Sequence, residues 1–247
     1  MIISHKHKFI FLKTRKTAGT SLDIGLSAHC GPKDIITTLT PEDERLRQEL
    51  GYRGPQNFRW LLLSYRPRHF GDYFRGKRPI FRQHLTAADT LALVGEEIWN
   101  EYFKFTIERE PYDKAISRYW WGTHNLKVQP TMEEFFDSAL LNRLTNWDIY
   151  TIRDKPVVDM IIRFENLKED LQKLQEKLGL GEIVMPRAKG KHRKDRRHYS
   201  QVLSPTARRR IELVCAKEIQ HFGYEWTEAE AADETLQSEI LKIPRAA

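Results

Sequence analysis

A short loop of basic and hydroxyl residues with one glycine follows the apolar run Phe9 to Leu12. If this run is a buried strand and a helix follows it, the loop amides and the helix N-terminus point the same way and favour an anion. Lys16 adds a mobile cation, and Gly19 permits close approach. The pattern predicts a phosphate site, with an ordinary capped turn as the alternative. The loop residues are Arg15, Lys16, Thr17, Ala18, Gly19, Thr20 and Ser21.

The order of residues in this loop differs from the Walker pattern GxxxxGK[ST]. In that pattern the lysine follows the glycines, and the next hydroxyl holds Mg²⁺. Here Lys16 precedes Gly19, and no acidic residue is obviously placed for a metal. The sequence therefore predicts no metal. It argues against a P-loop kinase-like phosphotransferase, which stays as an alternative.

A second candidate anion site lies in FKFTIEREPYDKAISRYWW, from Phe103 to Trp121. The stretch predicts a strand that ends near Arg109, then a helix that Pro111 opens and that carries Ser117 about two turns in. An arginine at the carboxyl edge of an open α/β sheet can grip a phosphate with its fork of donors. The helical spacing of the aromatic residues favours a place in the core and in the wall of a cleft. These residues are Tyr119, Trp120 and Trp121.

The composition is that of a globular protein, with 247 residues, 40% of them hydrophobic. The net charge of +7 attracts anions, whether nucleic acid, anionic lipid or a small molecule that carries phosphate or sulfate. Seven lysines and arginines lie between Pro186 and His198, whereas Glu225 to Glu239 carry six acids. No apolar run is long enough for a signal peptide or a membrane span, so we expect a cytoplasmic protein.

Short apolar strands alternate with helical patterns, which favours an α/β fold with a central parallel sheet flanked by helices. We expect one domain over residues 1–226, with an irregular insertion at about 51–82 that could border the acceptor, and an acidic helix or tail over 227–247. The predicted strands are Phe9–Leu12, Ile35–Leu39, Phe103–Ile107 and Val157–Phe164. The predicted helices begin near Thr20, Thr131, Asn166 and Ser204.

Taken as a pair, RKTAGTSL and EREPYDKAISRYWW resemble the sulfotransferases that use 3'-phosphoadenosine 5'-phosphosulfate (PAPS). The closer similarity is to the branch of membrane-bound carbohydrate sulfotransferases and their soluble bacterial relatives. The resemblance covers elements from about Lys8 to Trp226 in order and implies a P-loop-like sulfotransferase fold. It places residues 15–21 at the 5'-phosphosulfate, and Arg109 and Ser117 at the 3'-phosphate.

Two residues depart from the pattern of that family. Arg15 stands where the family usually has a proline, and Glu110 stands where it has an asparagine. An acid beside the 3'-phosphate would repel it, so we expect the side chain of Glu110 to point away from the ligand.

The resemblance also implies a histidine base ahead of the strand that ends in Arg109, and His84 is the best positional match. A base speeds sulfuryl transfer by taking the hydroxyl proton of the acceptor. The alternative is that His84 is only a polar flank of the helix that starts near Thr86. The stretch KGKHRK resembles the basic loop that closes over the nucleotide, although a solvated charge run or a docking surface for polyanions fits too. Its candidate residues are Lys189, Gly190 and Arg193.

The sequence thus predicts a sulfotransferase that moves a sulfuryl group from PAPS to an acceptor hydroxyl on a glycan, a lipid or a small molecule. Lys16 and His84 are the predicted catalytic residues, and PAPS is a co-substrate that leaves as adenosine 3',5'-bisphosphate. No metal, nucleic-acid partner or membrane span is expected. Besides the kinase, the alternative is a basic nucleic-acid-binding module that uses the charged loop and the aromatic residues.

Overall fold

The computed structural model describes residues 1–59, 80–186 and 193–229. Within these residues, five strands form a sheet in the order β3-β1-β2-β4-β7, and β5 pairs with β6 in a separate hairpin. The strands are β1 (Ile2–Ser4), β2 (Phe9–Phe11), β3 (Ile35–Ile36), β4 (Phe103–Glu108), β5 (Thr151–Ile152), β6 (Lys155–Pro156) and β7 (Met160–Arg163).

The sheet is mixed, which corrects the expectation of a parallel sheet. β2, β4 and β7 run parallel, as predicted. β1 runs antiparallel to both β2 and β3. Only four residues, 5–8, connect β1 to β2, and a connection this short can join only antiparallel strands. The fold is therefore α/β with a mixed central sheet flanked by helices.

The helices follow the capping patterns of the sequence. Thr131 and Glu134 form the capping box that the sequence predicts, and the Ser204 side chain accepts the N–H of Ala207. Three short 3₁₀ helices span Ala139–Arg143, Phe164–Asn166 and Tyr199–Gln201. The α-helices are α1 (Gly19–Ser27), α2 (Pro41–Glu49), α3 (Ala87–Val94), α4 (Glu96–Glu101), α5 (Pro111–Thr123), α6 (Met132–Asp137), α7 (Trp147–Tyr150), α8 (Leu167–Leu178), α9 (Pro205–Val214) and α10 (Ala216–Phe222).

The two faces of β2 belong to different core clusters. Phe9 and Phe11 pack in a cluster with Leu22 of α1 and Leu174 of α8. Ile10 packs in another cluster, together with residues of α3, α4 and α7. Each fully buried phenylalanine contributes about 1.5–3 kcal/mol of transfer free energy. Because both faces are covered, the strand reads as an unbroken apolar run, and its carboxyl end is held rigidly.

Some predicted features fall outside the described residues. They are most of the insertion (60–79), most of the basic loop (187–192, which includes Lys189 and Gly190) and most of the acidic tail (230–247). In the part of the chain that the structure describes, no helix is both long and apolar enough to span a bilayer.

Candidate functional site

The loop between β2 and α1 has the backbone of an anion cradle. Lys16 and Ala18 both adopt left-handed conformations, with φ of 63° and 61°, which is uncommon for residues other than glycine. Alternating backbone conformations of this kind direct successive N–H groups to one side and form an anion-binding concavity. Ala18 caps α1 with no side-chain hydrogen bond, and the first turn, which contains Thr20 and Ser21, holds no acid. The first amides of a helix have no partner within the helix, and at α1 no side-chain cap or first-turn acid competes with an anion for them.

Packing within the loop requires its glycine. A Cβ on Gly19 would lie 3.1 Å from Cγ of Lys13 and 3.2 Å from the carbonyl oxygen of Thr14. The hydroxyl of Thr14 lies 2.7 Å from the hydroxyl of Thr17, and both threonines are buried. Gly19 therefore allows the loop to close on its own strand, and Thr17 supports the loop from within.

Asn146, which the sequence analysis missed, holds the loop from a distant part of the chain. Its Oδ1 accepts the N–H of Arg15 at 2.9 Å, and its Nδ2 donates to the carbonyl of Arg15 at 3.1 Å. Asn146 is fully buried, and its own N–H donates to Glu218. It pairs with the backbone of Arg15 as a neighbouring strand would, which fixes the residue next to Lys16.

Arg109 brings the second predicted stretch against this loop. Its Nη1 donates to the carbonyl oxygen of Lys16 at 3.3 Å. Its guanidinium lies 4.1 Å from the ring centroid of Phe164 and also pairs with Asp113. The two stretches are 93 residues apart in sequence, and they meet because β2 and β4 are parallel neighbours whose carboxyl ends share one edge of the sheet.

Asp113 links Arg109 to the basic loop. Its second carboxylate oxygen pairs with Arg193, which is the one predicted residue of that loop within the described chain. Burial disfavours the carboxylate, but Arg109 and Arg193 outweigh this effect and hold the pKa of Asp113 below its usual range. The carboxylate therefore joins two guanidinium groups beside the loop, and it was not identified from the sequence.

One face of α5 connects the two ends of this site. Asp113, Ser117 and Trp121 follow at intervals of four residues and so share a face. Asp113 contacts Arg109 at one end, and the ring centroid of Trp121 lies 4.9 Å from Nζ of Lys16 at the other. Ser117 lies between them, about 6 Å along the helix axis from each. This spacing places Ser117 on the face of α5 that runs from Arg109 to Lys16.

Of the three consecutive aromatic residues of α5, two pack in the core, and the third lies beside Lys16. Tyr119 is buried in the cluster that α5 forms with α6 and α9, and Trp120 packs against the same cluster. Trp121 instead contacts Lys16 and stacks on His124. The predicted place in the core is confirmed for Tyr119 and Trp120, and a cleft wall at Trp121 stays a prediction.

Glu110 folds back onto its own helix. Its two carboxylate oxygens accept the N–H groups of Tyr112 and Asp113, both at 2.7 Å. The carboxylate of Glu110 thus binds the N-terminal amides of α5 rather than the guanidinium of Arg109. Burial raises the pKa of Glu110 to about 7, and the neighbouring charges of Asp113 and Glu165 add to the effect. The carboxylate of Glu110 is thus held by the backbone of its own helix, next to the site, and its orientation relative to a bound phosphate stays a prediction.

His84 lies against the strand that leads into the loop. Its Nδ1 is 2.9 Å from the carbonyl oxygen of Lys13. A carbonyl can only accept, so Nδ1 carries the proton and Nε2 is the basic nitrogen. Burial, together with the charges of Lys13 and Arg15, lowers the pKa of His84 to about 3. The ring is therefore neutral at pH 7 and can accept a proton only from a group that reaches Nε2.

These groups together can bind an oxyanion and take a proton beside it. The amides of the loop, Lys16 and Arg109 supply positive charge at one sheet edge, and His84 supplies a neutral imidazole near the same loop. Among residues 1–59, 80–186 and 193–229, no group of three or more His, Cys, Asp or Glu side chains is arranged to hold a metal ion.

The chain has a recognisable relative in an archaeon. It is 34% identical over 93 residues to an uncharacterized protein of Archaeoglobus fulgidus, a match that covers 36% of this chain and 78% of the relative. The chain belongs to the same family as that protein. No family model and no solved structure matches it.

Proposed function

We propose that this protein is a sulfotransferase of the P-loop-like fold that transfers a sulfuryl group from PAPS to an acceptor hydroxyl. The observation that carries the proposal is the contact of Arg109 with the carbonyl of Lys16. This contact joins the two cationic elements that the sequence resemblance assigns to the two phosphorylated ends of one donor.

The donor would lie along the face of α5. The amides of residues 17–21 and the ammonium of Lys16 hold the 5'-phosphosulfate at the N-terminus of α1. Arg109, Ser117 and Arg193 hold the 3'-phosphate, which must share the two guanidinium groups with Asp113 or displace its carboxylate. Lys189 and Gly190 stay assigned to the nucleotide by resemblance alone.

The reaction follows from the groups at the two sides of the loop. PAPS supplies the sulfuryl group and a phosphate leaving group. As the acceptor oxygen bonds to sulfur, Nε2 of His84 takes its proton, and the bond between sulfur and the bridging phosphate oxygen breaks. Lys16 stabilises the negative charge that develops on that bridging oxygen. The sulfuryl oxygens carry less charge than a terminal phosphoryl group, so cationic side chains suffice, and we expect transfer to continue in the presence of a chelator.

A comparison of three ligands tests the proposal. We expect adenosine 3',5'-bisphosphate to raise the melting temperature more than ATP or a DNA oligomer at the same concentration. ATP has no 3'-phosphate, and the internal phosphates of DNA are diesters, whereas the bisphosphate carries a phosphate monoester at both positions of one nucleoside. An equal or larger shift with ATP favours the kinase. A response to DNA that falls steeply with salt favours the nucleic-acid-binding module. Labelled PAPS, incubated with a panel of glycans, lipids and small alcohols, then identifies the acceptor.

The position of Glu110 predicts a pH dependence of nucleotide binding. Its carboxyl group gains a charge as the pH rises through about 7, next to the proposed 3'-phosphate site. We expect the affinity of the wild type for adenosine 3',5'-bisphosphate to fall between pH 6 and 8. The fall should be on the order of tenfold larger than in Glu110→Gln, which is equivalent to about one pKa unit of coupling. Isothermal titration calorimetry at several pH values measures both proteins.

Titration of the ligand itself also changes the measured affinity with pH, and comparison of the two proteins cancels this effect. The phosphates of the nucleotide titrate near pH 6, but they do so equally with either protein. Parallel pH profiles for wild type and variant would show that Glu110 does not act on the bound phosphate.

A further inference from the structure

A second group of cations lies on the other side of the loop from Arg109. Arg15 precedes Lys16, and its backbone is held by Asn146. Arg143 lies three residues before Asn146, at the end of a 3₁₀ helix. Arg118 lies on α5, one turn after Lys114. Asn146 and the buried Lys114 both donate to the same oxygen of Glu108, so one buried network links the segments that carry the arginines. Arg143 is exposed, and the other two are half-buried.

These arginines lack the partners that other cations in the structure have. Within the described residues, the guanidinium groups of Arg15, Arg118 and Arg143 make no hydrogen bond or ion pair, and Nε of Arg118 is buried without an acceptor. Burial lowers the pKa of Arg15 and of Arg118, and Arg143 lowers both further. Asp148 is the acid that acts on Arg15. The direction of these pKa shifts indicates that the three positive charges repel one another, and an oxyanion bound by them would relieve the repulsion.

Arg15 connects the cluster to the proposed base. It follows Lys13 by two residues, and Nδ1 of His84 lies 2.9 Å from the carbonyl oxygen of Lys13. The phosphorylated ends of the donor already have Lys16 and the loop amides at one end and Arg109, Ser117 and Arg193 at the other. The remaining arginines are therefore available to a group that arrives with the acceptor.

We propose that Arg15, Arg118 and Arg143 bind an oxyanion on the acceptor, either a carboxylate or a phosphate monoester, and so select acceptors that are negatively charged near the reacting hydroxyl. This inference rests on the proposed function. The fork of an arginine matches both kinds of oxyanion in a bidentate manner.

Three probes that differ in one group test the inference. They are 4-nitrophenyl β-D-glucoside, its 6-phosphate and 4-nitrophenyl β-D-glucuronide, each titrated calorimetrically into protein saturated with adenosine 3',5'-bisphosphate. We expect at least one charged probe to bind about tenfold or more tightly than the neutral glucoside. The stronger of the two charged probes then distinguishes phosphate from carboxylate.

A double variant, Arg118→Gln/Arg143→Gln, should lose this preference and keep its affinity for the nucleotide within about twofold. The control is Arg45→Gln/Arg209→Gln, which removes the same charge from two exposed side chains on α2 and α9 and should keep the preference. Equal binding of all three probes, no binding of any, or a preference that survives in the double variant would each overturn the inference. Loss of nucleotide affinity in that variant would also overturn it, because the cluster would then serve the donor.

The proposed function has its own test. It is wrong if the wild type does not bind adenosine 3',5'-bisphosphate, whatever the probes show for the arginine cluster. The same probes titrated without nucleotide still decide whether the arginine cluster is an anion site.

Discussion

Replacement of Lys16 by alanine is expected to lower kcat about 100-fold or more while the protein stays folded. The ammonium of Lys16, which lies 4.9 Å from the ring centroid of Trp121, is the group proposed to stabilise charge on the bridging oxygen of the donor. Removal of one such preorganised group costs on the order of 10²–10³ in rate. That charge grows as the bond breaks, so kcat should fall more than the affinity for the donor. The measurements are the rate of transfer from labelled PAPS and the affinity for adenosine 3',5'-bisphosphate.

The structure indicates that this substitution spares the loop. Arg109 contacts the carbonyl of Lys16 rather than its side chain, and the contact of the ammonium with Trp121 is worth about 0.5–1 kcal/mol at an accessible site. The control is Lys8→Ala, which removes an exposed lysine that pairs with Glu101 at the opposite end of β2. A near-normal rate in Lys16→Ala, or the same loss in both variants, would remove Lys16 from its assigned role.

Local patterns were sufficient to predict much of the fold. Each of these patterns lies within a few residues of the element that it predicts. They are the buried run at β2, the parallel strands β4 and β7, and the capping residues Thr131 and Ser204. β1 was missed because its three residues are too short to show a period, although Ile2 and Ile3 are fully buried. The direction of β1, and with it the mixed character of the sheet, follows from the short turn into β2.

In the candidate site too, the residues found from the sequence lie in local patterns, and the residues missed lie far away along the chain. The cradle and Arg109 were found because glycine, hydroxyl and cationic residues cluster beside predicted strand ends. Asn146 could not be found in this way, since it meets Arg15 across 131 residues of sequence and no pattern around it differs from an ordinary polar turn. Arg118 and Arg143 appear in the sequence as unremarkable surface charges. Only the contacts of the loop with Trp121 of α5 and with Asn146 bring the segments that carry them toward Arg15.

The carboxylates beside Arg109 have a physical consequence for the proposed donor site. Glu110 occupies the N-terminal amides of α5, whereas the N-terminus of α1 has neither a side-chain cap nor an acid in its first turn. Of these two helix ends, only that of α1 can offer its amides to an anion without displacing a carboxylate. We therefore expect the 5' end of the donor to be bound mainly by backbone groups and the 3' end by side chains, in competition with Asp113.

Replacement of His84 by asparagine is expected to lower kcat about 100-fold or more, with little change in nucleotide affinity. The amide of asparagine can still donate to the carbonyl of Lys13, as Nδ1 of His84 does at 2.9 Å, but it offers no basic nitrogen in place of Nε2. General-base catalysis typically contributes 10²–10⁴ in rate. The measurements are the transfer rate and the melting temperature, and the control is His29→Asn, a change at a half-buried histidine that contacts the carbonyl of Glu182.

The pH dependence separates a base from a structural residue. Because the pKa of His84 is lowered to about 3, the folded protein does not take up a proton here as the pH falls below 6.5, whereas the unfolded chain does. The folded state therefore loses stability between about pH 6.5 and 3 through this group, and His84→Asn should lose less over that window. A bound anionic donor raises the pKa of the imidazole, so the acid limb of kcat should lie at higher pH than that of kcat/KM. If His84→Asn keeps a near-normal rate, or if the two acid limbs coincide, His84 supports the loop and does not accept the proton.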